Sequence, residues 1–143
     1  MTKSVLCAVD ISNGDLDAHV LTRAAELADL DGAGLDVVTV LPDFGESWVS
    51  GFFQPGFHDK AVEEAHTQLV DLCTRTLGAA RNAKIRHVVA TGTAYQEILH
   101  TAKEAGSDLI IIGAHKPDLK DYLLGPNAAR VVRHSNVSVY VVR

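Results

Sequence analysis

The chain is poor in cysteine and aromatic residues and has no long apolar run, and each shortage removes a class of protein. Its only two cysteines, Cys7 and Cys73, show no CxxC spacing. That argues against a disulfide framework and against a cysteine-ligated metal site. Both lie in apolar stretches and are expected to be small buried hydrophobes of a reduced, cytoplasmic protein. No apolar run approaches the ~20 residues of a membrane span. The start "MTKSVLCAVD" enters a strand pattern directly, so no signal peptide is expected. Aromatic residues make up 6% of the chain, so Ala, Val, Leu and Ile must fill the core. The net charge of −5 speaks against nucleic acid as a general partner.

Catalytic patterns are also missing. Seven histidines are scattered without HExxH spacing, and no GxSxG elbow occurs. The turn "ISNGD" is not a flavodoxin-type phosphate loop. Asp10 lacks the acidic neighbour and distal Lys/Thr set of a phosphoacceptor receiver domain. No nucleophile stands with a base, so fast catalysis is not expected.

What is present is an alternation of strands and helices. At 143 residues the chain fits one domain, residues 1–143. "SVLCAVD", Ser4 to Asp10, reads as a strand buried on both faces. Leu16, Val20, Ala24 and Leu27 then recur at helical spacing up to Gly32 and Gly34. "LDVVTVL", Leu35 to Leu41, is a second strand ended by Pro42.

A long irregular piece follows, with Trp48, Phe52, Phe53 and Phe57. These aromatics are expected to anchor the loop to the core or to a partner subunit; a ligand cover is the alternative. A helix is expected from Asp59 to Leu77, with Val62, Ala65, His66, Leu69 and Leu72 or Cys73 inward. "KIRHVVATG", Lys84 to Gly92, is a third strand. Thr93 and Gln96 have the spacing of a capping box for a helix with Ile98, Leu99 and Ala102 inward, ended by Gly106. "DLIIIG", Asp108 to Gly113, is the most apolar strand and is expected at the centre. A last helix from Pro126 to His134 precedes the strand "VSVYVVR".

Strands separated by helices imply parallel pairing through right-handed crossovers. The expected fold is α/β, a single doubly wound domain with a five-stranded parallel sheet. Ligands of such sheets bind beyond the carboxyl ends of the strands, where the strand order switches. Asp10 and Gly113, with Val40 beside them, would flank that crevice. Asp10 can accept from a ribose hydroxyl or an adenine amine, or it can cap its own turn. Gly113 permits close approach of a phosphate, or is a turn glycine. His115 and Lys116 follow at the mouth, Lys116 as a point charge for phosphate.

Gly125 opens a helix whose first amides would face the same mouth. Pro126 suits a first helical position but offers no N–H, leaving the amides of Asn127 and Ala128. From Ala114 to Arg143 five Lys/Arg stand against two Asp/Glu, a local +3 that leaves −8 elsewhere. That basic end is either phosphate-directed or a solvated helix face.

Three stretches resemble the universal stress protein family: "VLCAVDIS" its opening strand, "SDLIIIGAH" its fourth strand, and "YLLGPNAARVVRHSNVSVYVVR" its C-terminal signature. The resemblance covers the whole chain. It implies an adenine-nucleotide-binding (HUP-like) architecture and a cytoplasmic homodimer paired through the C-terminal strands. It also implies a stress-response role, with unidentified protein partners and with neither nucleic acid nor membrane.

ATP-binding members show G-x2-G-x9-G-[ST] after strand four. Here Lys116 stands at the second Gly, eleven residues rather than twelve separate Gly113 from Gly125, and Pro126 replaces Ser/Thr. "HKPD" and "LLGPNA" are similar to a short-loop branch that includes nucleotide binders, which leaves Pro126 as the main departure. One lost hydrogen bond to phosphate weakens binding ~10- to 100-fold.

By resemblance, Val9, Val40 and Ile112 would contact adenine. Asp10, with the Ala8 to Asp10 backbone, would hold the adenosine end. Gly113, His115 and Lys116 would approach ribose and phosphates, and Gly125, Pro126 and Asn127 the phosphate tail. The ligand implied is ATP or AMP, with or without Mg, and slow ATP hydrolysis is the most an enzyme reading would carry. The alternative is a dimeric interaction module of the same family without nucleotide, using the aromatic loop as its surface.

Overall fold

A computed structural model of the chain describes residues 1–42, 57–114 and 125–143. The expectations for Trp48, Phe52, Phe53, His115 and Lys116, and for the Phe57 side chain, fall outside the described residues.

Strand β1 (Ser4–Ala8) leads through a 3-10 turn (Ile11–Asn13) into helix α1 (Gly14–Leu30), then β2 (Gly34–Leu41). Helices α2 (Phe57–Leu77) and α3 (Ala79–Asn82) precede β3 (Arg86–Thr91). Then come α4 (Ala94–Ala105), β4 (Leu109–Gly113), α5 (Pro126–His134) and β5 (Ser138–Val142). The five strands form one sheet in the order β3-β2-β1-β4-β5, with every neighbouring pair parallel. The chain leaves β1 toward one edge, through β2 and β3, and returns to the other side for β4 and β5. The switch therefore falls between β1 and β4.

Both faces of the sheet are covered, which is why β1 and β4 read as unbroken apolar runs. Val5, Cys7 and Ile111 pack against Val20, Leu21, Leu69 and Leu72 of α1 and α2. Leu6, Ala8, Ile110 and Ile112 face Ile98 and Ala102 of α4 and Val131 of α5. Alternate residues of one strand thus feed two separate cores. Burying each such side chain is worth about 1.5–3 kcal/mol.

Several local expectations are corrected. Strand β1 ends at Ala8, not Asp10, although the Val9 amide still donates to the Val38 carbonyl at 3.0 Å. Asp10 is thereby released from the ladder to turn over the end of the sheet. Strand β4 is interior, but β1 holds the middle. The short helix α3 had no signal in the sequence, because four residues carry no periodicity.

Thr93 is the N-cap of α4 at φ −82° and ψ 123°, yet its side chain caps no amide. Gln96 donates instead to the Tyr95 hydroxyl at 3.3 Å, so the capping-box pair is not formed. His66 is exposed rather than inward, while Ala65, Leu69, Leu72 and Cys73 are buried. Gly106 ends α4 as expected, at φ 68°, a conformation that favours glycine.

Candidate functional site

The carboxyl ends of β1, β2 and β4 open into a cavity of about 510 Å³ at the switch in strand order. That volume lies within the range of small-molecule sites. Its floor follows from the parallel register. Ala8 stands level with Val38 on one side and with Ile112 on the other, and all three line the cavity. The small Ala8 side chain between two branched ones leaves a trough. Val40 extends the apolar wall along β2, and Ile98 of α4 and Ala128 of α5 close it from above one face.

The opposite rim is polar and acidic. Asp10 leaves the strand, and its carboxylate accepts from the Ser12 amide at 3.0 Å and the Ser12 hydroxyl at 2.6 Å. Side-chain bonding of this kind to a residue two positions on fixes a tight turn. The Asp10 amide donates to the Asp17 carboxylate of α1 at 2.7 Å. Asp10 thus realises the turn-capping role and also borders the cavity, where it is exposed. Asp17 ties the first helix to the end of the first strand. Its negative charge, secondary to burial, pushes the Cys7 thiol far above its ordinary range. Cys73 is raised by burial to about 11. Both thiols are buried and unlinked, as expected from the sequence.

Gly113 ends β4 at the cavity. The structure gives its missing side chain a definite reason, since α1 packs directly over it. A Cβ at this position would lie 3.0 Å from Val20 Cγ2 and 3.5 Å from Asp17 Oδ1. Gly125 is the N-cap of α5, at φ −63° and ψ 155°, with no side-chain cap. Gly125, Asn127 and Ala128 line the cavity, so the start of α5, where a helix has unbonded amides, lies at its rim.

Of the residues singled out in the sequence, Ala8, Val9, Asp10, Val40, Ile112, Gly113, Gly125 and Asn127 are brought together around this one cavity. Pro126 is not; it is exposed at the first helical position, turned away between two lining neighbours. Successive helical residues point about 100° apart, so a helix that presents residues 127 and 128 turns residue 126 elsewhere.

The sequence reading missed Ser12, Leu16 and Asp17 of the first turn and helix, and Ala94 and Ile98 of α4. For Ser12, Leu16 and Asp17 the signal was positional, since they follow a strand ending at the crevice; Ala94 and Ile98 follow β3, which contributes no lining residue, and had no such signal. Leu16 belonged to the apolar stripe of α1, and its place at the cavity rather than in the core is set by tertiary packing.

The family model described as "Universal stress protein family" matches residues 1–143. Universal stress protein G of Shigella flexneri is 30% identical over 146 residues, covering 100% of both chains. Among solved structures, a universal stress protein from Archaeoglobus fulgidus in complex with dAMP superposes with a TM-score of 0.63. It is 21% identical over 100% of this chain and 98% of that one. A universal stress protein in complex with cAMP gives a TM-score of 0.64 at 19% identity, over 99% and 97%. The two complexes share the five-stranded α/β fold with this chain, and the whole-length sequence match carries the closer relationship. The chain belongs to the universal stress protein family.

Proposed function

We propose that the crevice binds an adenine nucleotide, ATP or AMP, and that the protein works as a nucleotide-responsive stress regulator rather than a fast enzyme. The observation that carries this reading is the cavity of about 510 Å³ at the strand-order switch, with an apolar trough on one side and carboxylates on the other. The trough of Ala8, Val38, Val40 and Ile112 suits the flat face of a purine. Asp10 is placed to accept from a ribose hydroxyl or a ring amine. The dAMP and cAMP complexes of related proteins support the ligand class. Among the described residues no group of three or more His, Cys, Asp or Glu is arranged to hold a metal ion.

The test is thermal unfolding with millimolar ATP or AMP and magnesium, beside mass spectrometry of the freshly purified protein. A ligand that binds only the folded state raises Tm by mass action. No shift, together with no co-purifying nucleotide, overturns the reading.

The competing reading is a dimeric interaction module without nucleotide. In its favour stands Pro126, which heads α5 without an N–H to offer. Under either reading we propose a homodimer paired through β5. That strand lies at the sheet edge, and its Tyr140 is 41% exposed in the single chain. An apolar edge of this kind calls for a cover. No helix among the described residues is long and apolar enough to cross a membrane. A cytoplasmic location is part of the proposal.

A further inference from the structure

At the β3 edge of the sheet, away from the crevice, two imidazoles meet across a seam between elements. His66 of α2 and His87 of β3 stand edge to face, with ring centres 6.0 Å apart and planes inclined at 72°. The His87 ring is half-buried, and its Nε2 lies 2.6 Å from Oδ1 of Asn82, the last residue of α3. One ring thus joins β3 to both α2 and α3. His66 is exposed and lines a groove of about 770 Å³ with Asp59, Val62 and Glu63 of α2 and Val89 and Thr91 of β3.

Histidine gains its charge as pH falls from 8 toward 5. In the closed seam that charge meets two penalties. Burial strips His87 of hydration, and a proton on each ring sets two cations on opposing elements. Moving the start of α2 away from β3 relieves both. On α2, the Asp59 and Glu63 carboxylates line the same groove as His66, which keeps the balancing negative charge on the helix side. On α3, Asn82 is neutral and its neighbour Arg81 is tied to Asp29 of α1. On β2, the apolar Val37 stands level with His87. Arg86, beside His87 in the strand, belongs to the other face of the sheet and is paired with Asp36. Leu69, Leu72 and Cys73 anchor the second half of α2 in the core, so its first half can part from β3 while the core stays packed.

We propose that the His66–His87 pair is an acid-sensitive latch: protonation drives the first turns of α2 off the edge strand and uncovers Val62 and Val89, while the rest of the sheet stays folded. The latch is independent of what the crevice binds.

Native-state amide hydrogen exchange tests it, at pH 7.5 and pH 5.0 and in low urea, on the wild-type chain, His66→Gln and His87→Gln. Protection factors remove the intrinsic effect of pH. His66 is exposed, so its variant should keep the wild-type Tm at pH 7.5, which is checked first. Wild-type protection over residues 61–67 should fall about 10-fold at pH 5.0. That exchange should respond little to low urea, because a local opening exposes little surface, whereas amides of β1 and β4 keep the steep response of global unfolding. His87→Gln should abolish the fall. His66→Gln should shrink it, and so should added salt.

Equal protection of residues 61–67 at both pH values overturns the latch. So does an undiminished fall in either variant. A urea response over residues 61–67 as steep as that of β4 means that acid loosens the whole chain, and overturns it as well.

Discussion

Gly113 and Val20 are packed so closely that a Cβ on the glycine would lie 3.0 Å from Val20 Cγ2. Val20 is fully buried in the core beneath α1 and has nowhere to retreat. Gly113→Ala is therefore expected to push α1 away from the end of β4. Overpacking of this kind costs typically 1–3 kcal/mol. Urea denaturation would read the loss as a lower midpoint. Asp17 rides on the same helix, so the substitution should also disturb the Asp17 contact to the Asp10 amide at the crevice. A variant of wild-type stability would show that α1 is not seated on β4 as described.

Thr93 presents the opposite case, a residue whose sequence context promises more than its contacts deliver. Because its hydroxyl caps no amide, Thr93→Ala should cost well under the ~1 kcal/mol of an ordinary N-cap loss. A full loss in thermal or chemical denaturation would mean that the capping box forms after all.

The thiols offer a chemical test of the core. Cys7 is fully buried between α1 and α2, and Cys73 beside it has a pKa raised to about 11. A thiolate is the reacting species, so neither should be alkylated by iodoacetamide at pH 8 while the protein is folded. Both should react once the chain is unfolded in guanidinium. Rapid labelling of either in the native protein would contradict the packing of this face.

Acid should weaken the fold in two stages. Burial, and then the nearby His66 ring, hold the pKa of His87 below its ordinary value, while its Nε2 stands 2.6 Å from Asn82 Oδ1. The unfolded chain thus takes up this proton more readily than the folded one. Stability is fully present above about pH 6.5 and falls as pH drops through the folded value. His87→Gln should flatten that part of the profile.

Asp108 acts at lower pH. Its carboxylate accepts the Lys3 amide at 2.8 Å and the Ser4 amide at 3.3 Å, bonds that hold its pKa below the usual carboxylate range. Its contribution is present above the unfolded value and disappears as pH falls through the folded one. Asp108→Asn should remove this lower step only. Denaturation midpoints from pH 8 to pH 3 check both.

Pairing through β5 is open to sedimentation. The wild-type chain should be dimeric at micromolar concentration, and Tyr140→Lys should shift it toward monomer, because a charge would be placed on the exposed apolar edge. A monomeric wild-type chain would overturn the pairing.

Much of this protein was legible along the chain. Unbroken apolar runs such as "LIIIG" can exist only where both faces of a strand are covered, so they signal a parallel sheet with helices on either side. Alternation of those runs with helical periodicity leaves few topologies, and the switch between β1 and β4 follows from them. Asp10, Val40 and Gly113 reach the cavity because a strand's end is a local property, visible in the sequence, whereas Ala8, Val9 and Ile112 came from the family resemblance.

Tertiary structure alone decided the rest. The pairing of Asp17 with the Asp10 amide, the seat of Val20 over Gly113 and the stacking of Arg130 on Tyr95 each join different elements. No spacing along the chain encodes such distances, since they depend on how far a helix slides along a strand before its side chains lock. The turning of Pro126 away from the cavity has the same origin. Its identity set where α5 begins, but the rotation of that helix is fixed by Ala128 and Val131 burying themselves against the sheet.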